Sequence, residues 1–240
     1  MPDVELIVDY PSRLAERLSA GQLDVAMIPS IEYARNPGYK IISDACIACD
    51  GPVRSVKLFG RVPVEDVRTL ALDEGSRTSV ALTRILLKER FGLLPQLKPL
   101  PMGHGIEESD ADAVLLIGDR GMVPVTGSFD FVWDLGEEWH RWAGLSFVFA
   151  MWIARPGVST PALAELLSAA RDRGLTCLPE IARREAEQVG LPEEDCLSYL
   201  RDHLEFRLGE RQRRGLERFY QLAACHGLAP AGVKLDFYHG

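Results

Sequence analysis

The spacing of apolar residues in the first 30 positions predicts two strands separated by a short helix. Residues 4–10 partly alternate between apolar and polar side chains and are rich in strand-forming residues. Residues 11–21 carry two leucines four positions apart, with a proline at the start and a glycine at the end, as in a short helix. Residues 23–30 are almost wholly apolar, which is typical of a parallel strand buried on both faces. We expect a strand–helix–strand unit that ends at a ligand-facing loop containing Ser30.

The middle of the chain repeats this alternation, which predicts a second α/β lobe. After it, the pattern predicts helices alone, and these are free to pack against the first lobe. The first lobe has few predicted strands for its size, as though the chain began one unit late. The predicted elements are extended segments over 39–62, a short helix and a strand over 64–75, a helix over 76–92, a strand over 96–101, a buried strand over 111–121, and helices over 161–172, 179–189, 193–204 and 210–225.

Composition and charge exclude several classes of protein. The chain has 240 residues, 47% of them hydrophobic, enough for one large domain or two lobes that each bury a core. The net charge of -8 argues against binding to nucleic acid or to an anionic membrane, because both require clustered Lys and Arg. The longest apolar run, residues 143–154, is shorter than the roughly 18 residues needed to span a bilayer. The N-terminal residues lack the basic and apolar regions of a signal peptide. From the charge and the short apolar run, we predict neither nucleic-acid nor membrane partners.

The cysteines and histidines predict a cytoplasmic protein without a metal site. Five cysteines form an odd, sparse set, which favours reduced thiols in the cytosol over a disulfide framework. Cys46 and Cys49 have the spacing of a redox pair or of half a zinc site, but they lie in an extended segment with no second pair of this spacing. We therefore interpret them as buried thiols. The five histidines show no spacing typical of metal ligands, and His104 lies in a glycine-rich loop.

A cluster of hydroxyl groups and one arginine lies at the predicted start of the helix over 76–92. Ser76, Arg77, Thr78 and Ser79 follow one another there. The first turn of a helix exposes unpaired backbone N–H groups and the positive end of the helix dipole, so nearby hydroxyls and a guanidinium complete a site for an anion. A simple helix cap needs one hydroxyl. The additional donors favour anion binding over capping alone.

Three further residues fall where α/β proteins bind ligands. Ser55 follows a Gly-Pro turn on the segment that would cross between the lobes, although a strand serine bonded to a neighbouring carbonyl is the simpler alternative. Gly118 and Asp119 follow a predicted buried strand, at the end of the strand where ligand sites form. The Gly-Asp pair is also common in ordinary turns. We include Gly118 and Asp119 among the candidate substrate-binding residues.

Several segments of this chain resemble, in order and spacing, those of the MqnA family of menaquinone biosynthesis, the chorismate dehydratases of the futalosine pathway. The resemblance extends over nearly the whole chain up to about residue 155 and is looser beyond it. It implies removal of water from chorismate to give 3-[(1-carboxyvinyl)oxy]benzoate, with no metal or organic cofactor. The segments that carry it are LDVAMIPSIEYARNPGY, ACDGPVRSVKLF, GSRTSVALTRILL, ADAVLLIGD and DLGEEWHRWAGLSFVFAMWIAR.

The same resemblance implies a fold and a division of the chain. The fold is α/β and periplasmic-binding-protein-like (type II), with two lobes and the ligand cleft between them. Residues 1–56 and 151–240 would form a discontinuous first lobe, and residues 57–150 the second. In this fold the strands alternate with helices, as the apolar pattern predicts.

The resemblance also assigns roles to particular residues. The family serine that contacts the substrate corresponds to Ser55, which we take as the catalytic residue. The anion-binding helix start corresponds to Ser76, Thr78 and Ser79. No histidine, aspartate or glutamate stands out as the general base, and a substrate carboxylate acting as the base is the family-level alternative. Apart from the resemblance, the apolar residues Phe147, Val148 and Phe149 would form a wall beside the substrate ring, unless they belong to an ordinary core strand.

One departure from the family pattern concerns the start of the sequence. Family members begin with a strand ending in a Leu-Asn-like motif whose asparagine faces the substrate, and nothing before residues 4–10 supplies it. About 20 to 30 residues, one strand and its connection, are missing from the pattern. We expect either a truncated chain or a member that has lost part of the site, and in both cases weakened stability and turnover. The remaining alternatives are a non-catalytic binding protein of this fold and the related naphthoate-forming enzyme.

Overall fold

The computed structural model describes residues 4–158 and 161–237, and their strands form two β-sheets. The first sheet has the order β1-β8-β2-β9, and all of its neighbouring strands are antiparallel. β8 lies between β1 and β2 because Val25 pairs with Ala154 on one side and Lys40 pairs with Ala154 on the other. The strands of this sheet are β1 (Val25–Pro29), β2 (Lys40–Cys49), β8 (Phe147–Ala154) and β9 (Glu205–Arg207).

The second sheet is mixed and has the order β5-β4-β6-β3-β7. β4 is parallel to both β5 and β6, whereas β3 is antiparallel to β6 and β7. The chain passes from the first sheet to the second through residues 50–55, and this crossover turn carries Ser55. The strands are β3 (Val56–Gly60), β4 (Thr69–Asp73), β5 (Gln96–Leu100), β6 (Ala113–Ile117) and β7 (Phe131–Asp134).

Helices surround both sheets, and some carry clear start and stop residues. The hydroxyl of Ser76 caps α3 by accepting the N–H of Ser79, and Gly92 ends that helix in the left-handed conformation (φ 70°). Short 3₁₀ turns occupy Val64–Asp66 and Ile106–Glu108. The helices are α1 (Pro11–Ser19), α2 (Ser30–Arg35), α3 (Arg77–Phe91), α4 (Asp119–Met122), α5 (Leu135–Ala143), α6 (Pro161–Thr176), α7 (Leu178–Val189), α8 (Glu193–Ser198), which continues into a π-helical turn (Tyr199–His203), and α9 (Glu210–Cys225).

An aromatic cluster fixes α5 and α9 against the first sheet. Trp139, Phe147 and Phe219 are each at most 1% exposed. The ring centroid of Phe147 lies 5.3 Å from that of Trp139 and 5.0 Å from that of Phe219. The backbone of α9 approaches closely at Gly215, where an added Cβ would lie 1.9 Å from the carbonyl oxygen of Ser146. Only glycine permits this contact without a shift of the helix. The edge-to-face rings and the glycine contact together set the position of α9 on β8.

The strand predicted for residues 4–10 is not formed. These residues have no regular secondary structure, and the side chains of Leu6 and Val8 are 77% and 88% exposed. In the described part of the chain no strand lies beside them, and an extended segment without a partner gains no ladder hydrogen bonds. The expected parallel strand–helix–strand unit is therefore absent, and β1 is instead antiparallel to β8.

Most other predicted elements are confirmed, with differences at their ends. The helix predicted over 193–204 splits into α8 and a π-helical turn, and the strand after it, β9, was not predicted. Phe147–Ala150, which the expected division assigns to the second lobe, pairs in the first sheet as part of β8. The division into 1–56 with 151–240 and 57–150 otherwise stays a prediction. Within residues 4–158 and 161–237, no helix is long and apolar enough to cross a bilayer.

Candidate functional site

The crossover turn is held by a single carboxylate. Asp134 accepts the backbone N–H groups of Val53 at 2.9 Å and of Arg54 at 2.5 Å. Arg54 has a φ of 64°, in the left-handed region that residues with a Cβ rarely adopt. The same carboxylate caps α5 by accepting the N–H groups of Gly136 and Glu137. Asp134 therefore stabilises a strained turn and joins it to the start of α5, and this turn presents Ser55.

Ser55 is buried against two segments distant in sequence. It is 5% exposed, and its Oγ lies 3.0 Å from the hydroxyl of Tyr199, which donates to it. On the other side, α4 packs against its backbone, since a Cβ added to Gly121 would lie 2.7 Å from the Ser55 carbonyl oxygen. The hydroxyl is thus fixed in place, and its partner is another hydroxyl instead of the strand carbonyl of the simpler alternative.

Tyr199 is the site residue that sequence reasoning missed. It begins the π-helical turn Tyr199–His203, a type of turn often found at functional sites. The turn is anchored to the crossover by a hydrogen bond between His203 Nδ1 and the carbonyl of Pro52 at 3.1 Å. Burial raises the pKa of the Tyr199 phenol, the hydrogen bond to Ser55 opposes this effect, and the charge of Asp119 reinforces it. The phenol therefore stays protonated at neutral pH.

Gly118 and Asp119 lie in the same neighbourhood as Ser55. Gly118 has a φ of 63° and precedes α4, and the exposed Asp119 is close enough to raise the pKa of Tyr199. α4 brings these residues beside the crossover turn through the Gly121 contact. The structure therefore groups Ser55, Gly118, Asp119 and Tyr199, which we call the crossover cluster.

The start of α3 forms a second group. Ser76 accepts the N–H of Ser79 at 3.3 Å and donates to the Ser79 hydroxyl at 2.7 Å. Thr78 Oγ1 accepts the N–H of Ile31 at 3.2 Å and lies 3.4 Å from the hydroxyl of Ser30. Thr78 and Ser79 are each 1% exposed. The start of α3 thus carries two hydrogen-bonded hydroxyl pairs, Ser30 with Thr78 and Ser76 with Ser79, which together we call the hydroxyl cluster.

Ser30 lies at the first residue of α2 and not in a loop. Its hydroxyl donates to the carbonyl of Val148 at 2.7 Å, and its carbonyl accepts from the phenol of Tyr220 at 2.6 Å. Ser30 is fully buried. Ser76 is the partly exposed member of the hydroxyl cluster, and the other three members are buried.

Two predicted site residues have other surroundings than expected. Arg77 forms ion pairs with Glu16 at 2.5 Å and with Glu32 at 3.3 Å, so two carboxylates already neutralise its charge. Phe147 is 1% exposed inside the aromatic cluster. This position agrees with the alternative prediction that Phe147 belongs to a core strand. The role of Arg77 as an anion ligand stays a prediction, and in this structure its guanidinium faces carboxylates.

A buried ion pair lies beside the start of α3. Asp73 ends β4 with no exposed surface, accepts the N–H of Gly75 at 2.9 Å and pairs with Arg120 of α4. Burial raises the pKa of this carboxyl, while Gly75 and Arg120 act to lower it. The pair connects the crossover cluster, through α4, to the strand that leads into the hydroxyl cluster. The Asp73–Arg120 pair thus ties α4 to the end of β4, just before the start of α3.

The interpretation of Cys46 and Cys49 as buried thiols is confirmed. Both are buried and unpaired within β2. Burial raises the pKa of the Cys46 thiol to about 12 and raises that of Cys49 as well, which opposes thiolate chemistry. Among the described residues, no group of three or more histidine, cysteine or acidic side chains is arranged to hold a metal ion.

Comparison with known sequences identifies relatives over nearly the whole chain. Residues 1–225 match the model of a protein family described as menaquinone biosynthesis. The chorismate dehydratase of Thermus thermophilus is 34% identical over 232 residues, which cover 87% of this chain and 83% of that enzyme. The family match includes all residues of the crossover and hydroxyl clusters.

Solved structures show the fold. A protein of Archaeoglobus fulgidus has a TM-score of 0.70 at 19% identity and covers 93% of this chain and 87% of its own. A Candida albicans protein with the generic periplasmic binding protein fold has a TM-score of 0.59 at 10% identity, covering 97% and 87% of the two chains. The predicted periplasmic-binding-protein-like α/β fold is therefore confirmed.

Proposed function

The chain belongs to the menaquinone biosynthesis family, and on this premise we propose that it is a chorismate dehydratase, a hydro-lyase that converts chorismate to 3-[(1-carboxyvinyl)oxy]benzoate. The 34% identity to the T. thermophilus enzyme over 87% of this chain carries the proposal. That identity favours the dehydratase over a non-catalytic binding protein and over the naphthoate-forming enzyme. Five unpaired cysteines support a cytosolic location for the reaction.

The main task of the protein in this reaction is to hold the substrate in one conformation. The ring C–O bond breaks, and its electron pair leaves with the hydroxyl oxygen, which takes up a proton and departs as water. A neighbouring ring C–H bond gives its proton to a base. The electrons of that C–H bond complete the aromatic ring. The enolpyruvyl ether remains intact. Because aromatisation supplies the driving force, the protein must hold one conformation of a substrate that can also rearrange or lose pyruvate.

The crossover cluster supports a role at the leaving group. Ser55 carries a hydroxyl that is fixed at the end of a strained turn, and a hydrogen-bond donor held at a developing negative charge lowers the barrier without reorganisation. We assign Ser55 to the ring hydroxyl or to the carboxylate beside it. For the base, we propose a carboxylate of the substrate itself, because Asp73 is already paired with Arg120 and the acidic member of the crossover cluster, Asp119, is exposed to solvent.

The hydroxyl cluster supports a role in carboxylate binding. The first turn of α3 offers the positive end of a 15-residue helix together with the hydroxyls of Ser76, Thr78 and Ser79. Thr78 is enclosed by its contacts with Ile31 and Ser30. A carboxylate reaches Thr78 when those contacts open, which a relative movement of the two sheets would produce.

Direct assay tests this proposal. The purified protein is incubated with chorismate, and the products are separated and identified by mass and NMR. We expect loss of one water with the enolpyruvyl group retained, and a rate that depends on Ser55. Formation of pyruvate would indicate ether cleavage instead of dehydration. Saturable binding of chorismate without any product would support the non-catalytic alternative.

A further inference from the structure

In the hydrogen bond between Tyr199 and Ser55, the relative acidity of the two hydroxyls decides which one donates. A phenol with an ordinary pKa of about 10 is a much better donor than an aliphatic alcohol, so Tyr199 donates and Ser55 accepts. A serine hydroxyl has one proton and two lone pairs. With one lone pair occupied by Tyr199, Ser55 keeps its own proton for another acceptor.

We propose that Tyr199 is a positioning residue that orients and polarises the Ser55 hydroxyl so that it donates to the substrate. This inference rests on the proposed function, because it takes Ser55 as the residue that contacts the substrate. Tyr199 acts through Ser55 and does not take part in proton transfer. Hydrogen bonds in a chain strengthen one another in a low-dielectric site, so a serine that accepts from Tyr199 is a stronger donor.

Both partners are held from outside the pair. Asp134 fixes the turn before Ser55 by accepting the N–H groups of Val53 and Arg54. The turn that carries Tyr199 is held by His203 on the carbonyl of Pro52, and α8 is held by an ion pair of Asp195 with Arg54 at 3.7 Å. The two contacts of the Tyr199 segment both end on the crossover turn, so they fix Tyr199 relative to Ser55.

The hydrogen bond from Tyr199 selects the rotamer of the Ser55 side chain. In the described residues, Tyr199 is the side chain that hydrogen-bonds the Ser55 hydroxyl. The Ser55 side chain without this bond would rotate among three staggered positions, only one of which aims its proton correctly. Burial keeps the phenol protonated, so its donor role is maintained over the neutral pH range.

Replacement of Tyr199 by phenylalanine tests this role, because the ring is kept and one oxygen is removed. We expect Tyr199→Phe to lower kcat about tenfold, the effect of losing one hydrogen bond, with KM changed less than twofold. A matched control is Tyr33→Phe, which removes a phenol that belongs to neither cluster and bonds only backbone groups, the carbonyl of Lys234 at 2.8 Å and the N–H of Asp236 at 2.7 Å. The control should keep the wild-type kcat.

A double-mutant cycle separates positioning from a general structural effect. If Tyr199 acts through Ser55, the double variant Ser55→Ala/Tyr199→Phe has the same kcat as Ser55→Ala alone. A further tenfold loss in the double variant, or a wild-type kcat in Tyr199→Phe, would overturn the inference. An equal loss in Tyr33→Phe would also overturn it, since the effect would then follow from lost stability.

The cycle also distinguishes this inference from the proposed function. If the wild-type protein does not dehydrate chorismate, the proposed function fails, and calorimetric binding of chorismate replaces kcat as the readout. Tyr199→Phe should then weaken binding about three- to tenfold in the presence of Ser55 and have no effect in Ser55→Ala. Equal weakening in both backgrounds, or a wild-type protein that binds no chorismate, overturns the role of Tyr199.

Discussion

Thr78 accepts the backbone N–H of Ile31 at 3.2 Å, and this hydrogen bond fastens the first turn of α3 to the first turn of α2. The two helices follow strands of different sheets, since α2 continues from β1 and α3 follows β4. Any separation of the two sheets at this point must break the bond. Thr78 is therefore both a closing contact and a candidate group for substrate binding.

Substitution of Thr78 by valine should weaken both affinity and stability. Valine keeps the shape but leaves the buried N–H of Ile31 without a partner, which costs about 1–3 kcal/mol. We expect several-fold weaker binding of chorismate or benzoate by calorimetry and a lower free energy of unfolding in urea. Thr83→Val, one turn further along α3, is the control, because Thr83 bonds the carbonyl of Ser79 and should affect stability alone.

Ser79→Ala should weaken binding of the same ligands, because it removes a hydroxyl from the first turn of α3 and frees the Ser76 hydroxyl from its partner. Calorimetry gives the affinity, and thermal melting checks that the helix is still capped. Wild-type affinity in both Ser79→Ala and Thr78→Val would reduce the hydroxyl cluster to a helix cap and a contact between sheets.

Ser55→Ala should preserve the fold and lower kcat/KM at least tenfold. The substitution removes one oxygen and leaves no large cavity, but it deletes a hydrogen bond worth about 0.5–1.5 kcal/mol, and more to a charged group. Steady-state assays with chorismate measure the effect. Ser43→Ala, at a buried serine in β2, should keep wild-type kinetics. An unchanged kcat/KM in Ser55→Ala would exclude Ser55 from the site.

Gly121→Ala should disturb Ser55 without touching its side chain. The added Cβ would lie 2.7 Å from the Ser55 carbonyl oxygen, so α4 or the crossover turn must move. We expect a loss of about 1–3 kcal/mol in unfolding free energy together with a lower kcat. Gly174→Ala in α6 is the control, because its Cβ would meet nothing within 4 Å and helical alanine is more stable than glycine. Normal turnover in Gly121→Ala would show that Ser55 tolerates displacement.

Stability should fall at alkaline pH. Burial raises the pKa of the phenols of Tyr33, Tyr199 and Tyr220. Above about pH 10 the unfolded chain releases phenol protons that the folded chain still holds, so stability is full below that pH and is lost as pH rises further. Urea unfolding at pH 8 to 11 should show this fall, and it should be shallower in Tyr220→Phe.

The periodic segments of the sequence predicted most of the fold, because their burial is decided locally. α3 was readable from its hydroxyl cap, its apolar spacing and the glycine at its end. Residues 4–10 were wrongly predicted as a strand. Their alternation of apolar and polar side chains indicates one face that could be buried, but a strand also needs a neighbouring strand to pair with. β9 escaped prediction because it is three residues long and depends on its pairing with β2.

The candidate site was predicted only where its chemistry is local in sequence. The hydroxyls at the start of α3 and Ser55 after its turn were found from residue type and position. Tyr199 was missed because its contact with Ser55 spans 144 residues and its π-helical turn has no known sequence pattern. Arg77 was overestimated as an anion ligand because its partners, Glu16 and Glu32, lie in other helices.

The central position of β8 has a consequence for the order of folding. β1 and β2 share β8 as a partner, and β8 begins only at Phe147, after the whole of the second sheet has been made. The five strands of the second sheet lie within one continuous segment, from Val56 to Asp134. During synthesis the second sheet can therefore form while residues 25–49 are still unpaired. The first sheet forms later, because its strand pairs are far apart in sequence. A ribosome-bound chain that ends before β8 is expected to hold one folded sheet and one exposed apolar segment.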